Sequence, residues 1–259
     1  MDLGIKGLRV LVTAGASGIG LEISRAFVRE GAKVHICDVD GQALSAVAKS
    51  DPALTQSVCD VSDRAQVARM FDDALKHLDG GLDCLVNNAG IAGPTGRIEE
   101  INPEDWDRCL AVDITGQFNC VRLAVPHLKQ SKNASIMNLS SQAGKHGFPL
   151  RSPYAAAKWG VIGFTKSIAI ELGSYGIRVN ALLPGIVAGD RIRRVIEAKA
   201  QQNGLSFKEQ EAALFRSVSI KEYVTPQQLA DMVVFTASPR SKTVSGQAIS
   251  VCGDTNMLG

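Results

Sequence analysis

The sequence has no long apolar run and no excess of charge of either sign. Among its 259 residues, no stretch approaches the roughly 18 apolar residues that a membrane-spanning helix needs. There are 28 Lys and Arg against 26 Asp and Glu, and no basic run forms the footprint that nucleic acid requires. The first residues lead into a strand pattern without the apolar core of a signal peptide. We therefore expect a cytoplasmic protein that binds neither membrane nor nucleic acid.

The cysteine and histidine residues are also not spaced as the ligands of a metal site would be. The six cysteines include no C-x-x-C pair, and the four histidines are scattered along the chain. We expect the cysteines to be reduced residues that pack in the core. No metal site is predicted.

Short apolar runs alternate with helical periods along the whole chain. The strand-like runs cover 8–13, 33–37, 54–58, 82–86, 135–139, 177–183 and 247–251. The helical periods cover 18–30, 42–49, 62–77, 105–129, 153–172 and 226–238. This alternation predicts an α/β fold of the Rossmann type, a doubly wound parallel sheet of about seven strands with helices on both faces. No linker divides it, so we predict one domain over 1–259, with an irregular lid insertion at about 186–222.

A glycine-rich turn lies where the first strand meets the first helix. The segment T-A-G-A-S-G-I-G occupies residues 13–20, and backbone without Cβ atoms can approach a pyrophosphate closely. This context favours dinucleotide binding, although glycines also serve ordinary tight turns. The predicted contacts are Gly15, Ser17, Gly18, Ile19 and Gly20.

Two acidic residues follow the second and third strands. Asp38 lies 18 residues beyond Gly20, where a carboxylate accepts hydrogen bonds from an adenosine ribose. Because this carboxylate repels a 2′-phosphate and Val39 is not basic, NAD is expected over NADP. Asp60, predicted to end the third strand, is expected to accept from the adenine amino group. The alternative for both residues is a solvated carboxylate at a strand end.

Further motifs stand in a fixed order along the chain. N-N-A-G occupies 87–90, Ser141 follows the fifth strand, Y-A-A-A-K occupies 154–158 and P-G occupies 184–185. Together with the glycine-rich turn, these motifs resemble the short-chain dehydrogenase/reductase family over nearly the whole chain. The resemblance implies an NAD(P)-dependent alcohol dehydrogenase or ketone reductase.

The resemblance also implies the role of each motif. Tyr154 exchanges a proton with the substrate oxygen, Lys158 binds the nicotinamide ribose, and Ser141 holds the carbonyl or alcohol. Further cofactor contacts implied by the family, beside Tyr154 and Lys158, are Val61, Asn88, Ala89, Gly90, Pro184, Gly185 and Val187.

The residues themselves support this reading of the Y-x-x-x-K motif. Tyr154 and Lys158 are four residues apart, so a helix places them on one face about one turn apart. An ammonium there favours the phenolate form, which suits general acid and base chemistry. Without the other motifs, such a pair would be read as ordinary helix surface.

Three positions depart from the family pattern. Ala14 replaces the first glycine of the turn, and we expect a negative φ there because alanine avoids positive φ. Asp113 replaces an asparagine of the proton relay, which keeps an acceptor but loses an amide donor, so that the relay runs differently or more slowly. Gly189 replaces a threonine, which removes a hydroxyl near the nicotinamide carboxamide.

Substrate identity is expected to reside in 142–153 and 186–222. The second segment has seven Lys and Arg against five acidic residues, and Arg residues can hold a carboxylate with two hydrogen bonds. We expect Arg151, Arg216 and His146, with Ser141 and Tyr154, to bind an anionic or polyhydroxylated small substrate, such as a sugar acid, at a secondary hydroxyl. The alternative is that the charges are solvated and His146 lies at a loop surface.

Two other functions and an assembly state are considered. A 3-oxoacyl-thioester reductase is the alternative enzyme, but Asp38 opposes it because biosynthetic reduction usually draws on NADPH. A non-catalytic dinucleotide-binding regulator is opposed by the intact Ser141, Tyr154 and Lys158. Apolar stripes on the helices at 105–129 and 153–172 pack in the core or, as the family resemblance implies, form the interface of a homotetramer.

Overall fold

A computed structural model describes residues 2–257 of the chain, without the side chains of residues 191, 198, 199 and 202. Its strands are β1 (Arg9–Thr13), β2 (Lys33–Asp38), β3 (Leu54–Val58), β4 (Cys84–Asn87), β5 (Ser135–Leu139), β6 (Arg178–Pro184) and β7 (Ala248–Val251). They form one parallel sheet in the order β3-β2-β1-β4-β5-β6-β7. The predicted Rossmann-type fold is confirmed.

Helices cover both faces of this sheet. They are α1 (Gly18–Arg29), α2 (Gly41–Ser50), α3 (Arg64–His77), α4 (Pro103–Leu110), α5 (Gly116–Leu128), α6 (Ser152–Gly173), α7 (Asp190–Asn203), α8 (Phe207–Phe215) and α9 (Pro226–Ala237). The helices α1, α2 and α9 pack on one face and α3, α5 and α6 on the other. In the part of the chain that the structure describes, none of the helices combines the length and apolarity of a membrane span.

Strand β1 explains why both faces are apolar. Val10 and Val12 point into the core beneath α1 and α9, and Leu11 between them points into the core beneath α3 and α5. All three are completely buried, because successive side chains of a strand face opposite sides and both sides carry helices. The apolar pattern of the sequence therefore follows from the layered architecture.

The helix predicted at 105–129 is present, but a π-helical turn interrupts its regular α-helical geometry. Helix α4 begins at Pro103 and ends at Leu110, the backbone then forms a π-helical turn at Ala111–Thr115, and α5 begins at Gly116. Such wide turns accommodate an extra residue and often lie at functional sites. Here the turn contains Asp113, which is completely buried.

The segment at 186–222 is more regular than the sequence indicates. It contains α7 and α8, joined at Gly204, which has a φ of +65°. Helix α8 begins with a capping box in which Ser206 and Glu209 exchange hydrogen bonds. The polar residues there thus belong to two short helices at the carboxyl end of β6.

The order of the strands in the sheet indicates where a ligand-binding cleft lies. Beyond β1 the chain moves outward through β2 and β3, and it then returns to the other side of β1 as β4. Ligands of such sheets bind at the carboxyl ends of the strands beside this reversal. The residues that follow β1, β4, β5 and β6 therefore share one edge.

Candidate active site and cofactor cleft

The turn between β1 and α1 leaves no room for a side chain at two of its glycines. A Cβ atom on Gly20 would lie 2.1 Å from the carbonyl oxygen of Ala14, and one on Gly15 would lie 2.6 Å from Cβ of Ile36. Ser17 caps α1 with extended backbone but makes no side-chain capping hydrogen bond. The first N–H groups of α1 are therefore available to an anion, which fits the pyrophosphate of a dinucleotide.

The expected negative φ of Ala14 is wrong. Its φ is +49°, a left-handed conformation that costs an alanine about 1–2 kcal/mol. The Nδ2 atom of Asn88 donates to the carbonyls of Thr13 and Ala14, each at 3.0 Å. The N–H of Gly15 donates to the carbonyl of Cys37 at 2.9 Å. These hydrogen bonds hold Ala14 in its left-handed conformation. They, and not a negative φ at Ala14, maintain the turn.

The hydroxyl of Thr13 joins this turn to the loop after β4. It accepts from the N–H groups of Asn88 at 2.9 Å and Ala89 at 3.0 Å. The sequence analysis did not select Thr13. A polar residue in the last position of an otherwise apolar strand is the signal that could have found it.

A buried amide chain fixes the neighbouring strands. Asn87 of β4 donates to Asn138 of β5 at 2.9 Å, and Asn138 donates to Thr165 of α6 at 3.0 Å. Because buried polar groups are costly when unpaired, this chain sets how α6 lies against the strand ends. Asn87 was noted in the sequence only as part of the N-N-A-G motif, and Asn138 and Thr165 were missed, although polar side chains within buried strands are unusual.

Asp38 and Asp60 differ in their surroundings. The half-buried Asp38 ends β2, and its carboxylate accepts from the N–H of Ala16 at 3.2 Å, beside the glycine-rich turn. Asp60 lies two residues beyond the end of β3 rather than at it. Burial would raise the pKa of the Asp60 carboxyl, but hydrogen bonds from Ser62 and Arg108 lower it below its ordinary value. An adenine amino group would have to share this carboxylate with Arg108.

Helix α6 carries Tyr154 and Lys158 beside the loop that contains Ser141. The ammonium of Lys158 lies 5.5 Å from the centre of the Tyr154 ring and donates to the carbonyl of Leu139 at 3.2 Å. Lys158 is only 3% exposed. Ser141 starts a short helical turn after β5, and its hydroxyl accepts from the N–H of Ala143 at 3.1 Å.

Asp113 forms an ion pair with Lys158. One carboxylate oxygen lies 3.4 Å from the ammonium, and the other accepts from the N–H of Ile91 at 2.7 Å. Both side chains are buried, and a Cβ atom on Gly90 would come within 3.1 Å of the same ammonium. The small residue at the end of the N-N-A-G motif therefore leaves room for this pair.

Arg151 also lies close to Tyr154. Its guanidinium carbon is 5.1 Å from the centre of the Tyr154 ring and 5.2 Å from that of Phe148, and the group donates to the carbonyl of Ala92. Of the other predicted substrate residues, His146 is half-buried in the same loop. Arg216 is exposed at the end of α8. The structure thus brings Arg151, but not Arg216, against the tyrosine.

A cavity of about 380 Å³ lies at the carboxyl end of β6. Its lining residues are Ala188, Gly189, Ile192, Arg193, Phe207, Glu211 and Tyr223. Burial, together with the hydrogen bond to Glu211, raises the pKa of Tyr223 to about 12. Gly189 has a φ of +145°, which explains why glycine rather than threonine stands there.

The segment around this cavity is anchored to the strand ends. The N–H of Ala188 donates to the carbonyl of Val224 at 2.9 Å, and a Cβ atom on Gly185 would come within 2.6 Å of Cα of Cys252. Both Pro184 and Gly185 therefore lie at the same edge as Ser141. Within residues 2–257, no group of three His, Cys, Asp or Glu side chains is placed to hold a metal ion.

Several known proteins resemble this chain along nearly its whole length. The family model described as enoyl-(acyl carrier protein) reductase matches residues 13–254. The 3-oxoacyl-(acyl-carrier-protein) reductase of Thermotoga maritima is 34% identical, over 96% of this chain and 98% of that protein. The D-beta-hydroxybutyrate dehydrogenase of Cupriavidus necator is 34% identical, over 93% and 95%. The galactitol 2-dehydrogenase of Agrobacterium fabrum is 36% identical, over 94% and 95%.

A solved structure extends the likeness to three dimensions. The crystal structure of levodione reductase superposes with a TM-score of 0.88 at 28% identity, covering 96% of this chain and 97% of that one. The fold, the order of the motifs and these matches lead to one conclusion. The chain belongs to the short-chain dehydrogenase/reductase family, whose members are oxidoreductases that act on alcohols and ketones with nicotinamide cofactors.

Proposed function

We propose that this protein is an NAD-dependent dehydrogenase that interconverts a secondary alcohol and a ketone on a small anionic or polyhydroxylated substrate. The observation that carries the proposal is the placement of Tyr154. The centre of its ring lies 5.5 Å from the ammonium of Lys158 and 5.1 Å from the guanidinium carbon of Arg151, at the sheet edge that the glycine-rich turn also occupies. A phenol in this position is suited to exchange a proton with a substrate oxygen.

The residues divide the work as follows. Tyr154 takes the proton of the alcohol, or returns it to the ketone, as a general base or acid. Ser141 donates a hydrogen bond to the substrate oxygen and so orients it toward Tyr154. Lys158 holds a ribose hydroxyl of the coenzyme. The coenzyme, when bound, supplies or accepts the hydride.

The charged groups of the cleft are suited to bind NAD. The open N-terminus of α1 suits a pyrophosphate, and the remaining contacts are those predicted from the sequence, from Gly15 and Gly20 in the turn to Val187 after β6. Asp38 would accept from the adenosine ribose. Its carboxylate would repel the 2′-phosphate of NADP, which supports the preference for NAD.

The substrate class follows from Arg151 and from the names of the relatives. One relative acts on hydroxybutyrate, which carries a carboxylate, and another on galactitol, a polyol. Arg151 is the cation beside Tyr154 that could meet a carboxylate, with Ser141 and His146 in the same loop. The second candidate is a 3-oxoacyl-thioester reductase, favoured by the match to the Thermotoga protein and opposed by Asp38.

One screen tests these proposals together. Reduction of NAD and of NADP is measured in parallel over hydroxy acids, sugar acids, polyols and neutral secondary alcohols, with oxidation of NADPH by a 3-oxoacyl thioester as the alternative. We expect faster turnover with NAD and with the acids or polyols. Preference for NADPH and the thioester would replace the proposal, and no turnover of any kind would favour the non-catalytic regulator.

We also propose that the chain assembles as a homotetramer through α5 and α6. Phe118 of α5 and Trp159 and Ile170 of α6 are 42%, 53% and 84% exposed, on two helices that cover the same face of the sheet, and exposed apolar residues of this kind are suited to a subunit contact. Light scattering after size-exclusion chromatography tests this assembly. Elution at the monomer mass would contradict it.

A further inference from the structure

Helix α8, the second helix of the lid, buries little of its own surface. All nine of its residues are described, and Gln210 alone among them is buried. By comparison, six of the twelve residues of α9 are buried. A helix as short as α8 is marginal in water and depends on tertiary contacts. Its position must therefore be set by contacts at its ends.

The residues that follow α8, which we call the lid end (217–223), tie down its last turn. The ammonium of Lys221 donates to the carbonyl of Phe215 at 2.7 Å. The hydroxyl of Tyr223 donates to Glu211, and its ring packs edge-on against the ring of Phe215, with 4.9 Å between the ring centres. The position of α8 thus depends on where the lid end lies.

The segment after β7, residues 252–256, pairs with the lid end, and we call it the strap. The N–H of Ser219 donates to the carbonyl of Asp254 at 3.1 Å, and the Ser219 hydroxyl donates to the Asp254 carboxylate. The N–H of Ile220 donates to the carbonyl of Gly253 at 2.9 Å. Both the backbone and a side chain therefore fasten the lid end to the strap.

The backbone of the strap is strained at the point of pairing. Gly253 and Asp254 have φ values of +64° and +59°, and such a conformation in an aspartate persists only where its surroundings enforce it. The hydrogen bonds from Ser219 hold Asp254 in this conformation. An antiparallel bridge between Val218 and Thr255 continues the pairing.

The strap is itself fixed to the strand ends. The N–H of Gly185 donates to the carbonyl of Val251 at 3.0 Å, and a Cβ atom on Gly185 would meet Cys252. The hydroxyl of Thr255 donates to the carbonyl of Cys252 at 3.1 Å. The strap therefore connects the P-G motif at the end of β6 to the lid end.

We propose that the strap is a positioning element that holds α8 beside the cavity at the end of β6 and so sets the affinity of the site for its substrate. Among the described residues, the cavity lining includes Glu211 and Tyr223 but no residue of the strap, so the strap acts through them. The effect on affinity rests on the proposed function, whereas the holding of α8 does not.

Two glycines beside β7 supply a matched pair of variants. Gly253 and Gly246 have φ values of +64° and +70°, so alanine is strained at either position. A Cβ atom on Gly253 would lie 2.9 Å from the carbonyl oxygen of Ile220, whereas one on Gly246 would meet only Ala169, at 3.7 Å. Gly246 also precedes β7, at the sheet edge opposite the cleft. Gly253→Ala therefore displaces the strap, and Gly246→Ala controls for the strain.

Hydrogen exchange followed by mass spectrometry reads the result without coenzyme or substrate. We expect the amides of α8 to exchange about 10-fold faster in Gly253→Ala than in the wild type, and at the wild-type rate in Gly246→Ala. Ser219→Ala should give an increase of about 3-fold, and Ser219→Thr, which keeps the hydroxyl, should not. Because Ser219 is exposed, its variants test the inference even where Gly253→Ala does not fold.

Substrate affinity is measured with the best substrate of the dehydrogenase screen. In Gly253→Ala, KM should rise by about 5-fold or more while kcat stays within about 2-fold of the wild type, because loss of the strap weakens binding without changing a reacting group. In Gly246→Ala both constants should stay near their wild-type values. A purely structural role of the strap would not separate KM from kcat in this way.

Three results would overturn the inference. One is exchange of α8 that is no faster in Gly253→Ala and Ser219→Ala than in Gly246→Ala. Another is faster exchange throughout the sheet, including β1 and β5, which would indicate general destabilisation. The third is faster exchange of α8 with an unchanged KM. Absence of turnover with every substrate would instead contradict the proposed function, and the exchange rates would still decide whether the strap holds α8.

Discussion

His35 provides a quantitative test of how burial acts in this sheet. It lies in β2 with no exposed surface. Its ring nitrogens lie 2.9 Å from the hydroxyl of Thr55 and 3.0 Å from that of Ser57, and its ring stacks on His77 at 5.7 Å. Burial, followed by the neighbouring His77, lowers the pKa of His35 from 6.5 to about 4.

This pKa gives the sign and size of a pH effect on stability. Between about pH 6.5 and pH 4 the unfolded chain binds a proton at His35 that the folded chain does not, so acidification destabilises the fold across this window. The full difference in pKa corresponds to about 3 kcal/mol at the acid end. Above pH 6.5 the histidine is neutral in both states and contributes no pH dependence.

The assay compares denaturant unfolding of the wild type and His35→Gln at several pH values and one protein concentration. Glutamine keeps polar groups for Thr55 and Ser57 but cannot titrate. The unfolding free energy of the wild type should fall relative to the variant by about 3 kcal/mol from pH 7 to pH 4. His77→Gln should reduce this effect only in part, because burial is the larger cause. A constant difference between wild type and His35→Gln at all pH values would refute the reasoning.

Two further predictions concern the cofactor cleft. Replacing Asp38 by Ala and Val39 by Arg should move the ratio of kcat/KM for NAD and NADP toward NADP by about 10-fold or more, since the change removes one repulsive charge pair and adds one attractive pair, each worth on the order of 1 kcal/mol; an unchanged ratio would contradict the role of Asp38. Gly20→Ala brings its Cβ within 2.1 Å of the Ala14 carbonyl and should lower stability by about 1–3 kcal/mol and weaken NAD binding, as measured by thermal unfolding and calorimetry. The control Gly163→Ala, with no atom within 4 Å of the new Cβ, should cause neither effect.

The sequence predicts those parts of the molecule that depend on local pattern. Strand β1 is apolar on both faces because helices cover both faces, and this pattern, together with the alternation of strands and helices, indicates a parallel sheet. The spacing of Tyr154 and Lys158 predicts their common helix face because helical geometry is nearly invariant. The confirmed fold follows from such local rules repeated along the chain.

These local rules do not predict contacts between segments that are distant in the sequence. The positive φ of Ala14 depends on Asn88, more than seventy residues away in the sequence. The π-helical turn around Asp113 has no local sequence signal, and it brings the carboxylate to Lys158. Arg151 was selected as a residue that meets substrate, and no local pattern indicates that its guanidinium carbon lies 5.1 Å from the centre of the Tyr154 ring.

The central claim is that the Tyr154 phenol carries the proton of the reaction, and single-turnover reduction of NAD by Tyr154→Phe tests it most directly. Phenylalanine keeps the ring beside Lys158 and Arg151 and removes only the hydroxyl. The account predicts a loss of about 10²- to 10⁴-fold in the rate, while NAD binding measured by calorimetry stays near the wild-type value. A variant that still reduced NAD at more than about a tenth of the wild-type rate would contradict the account.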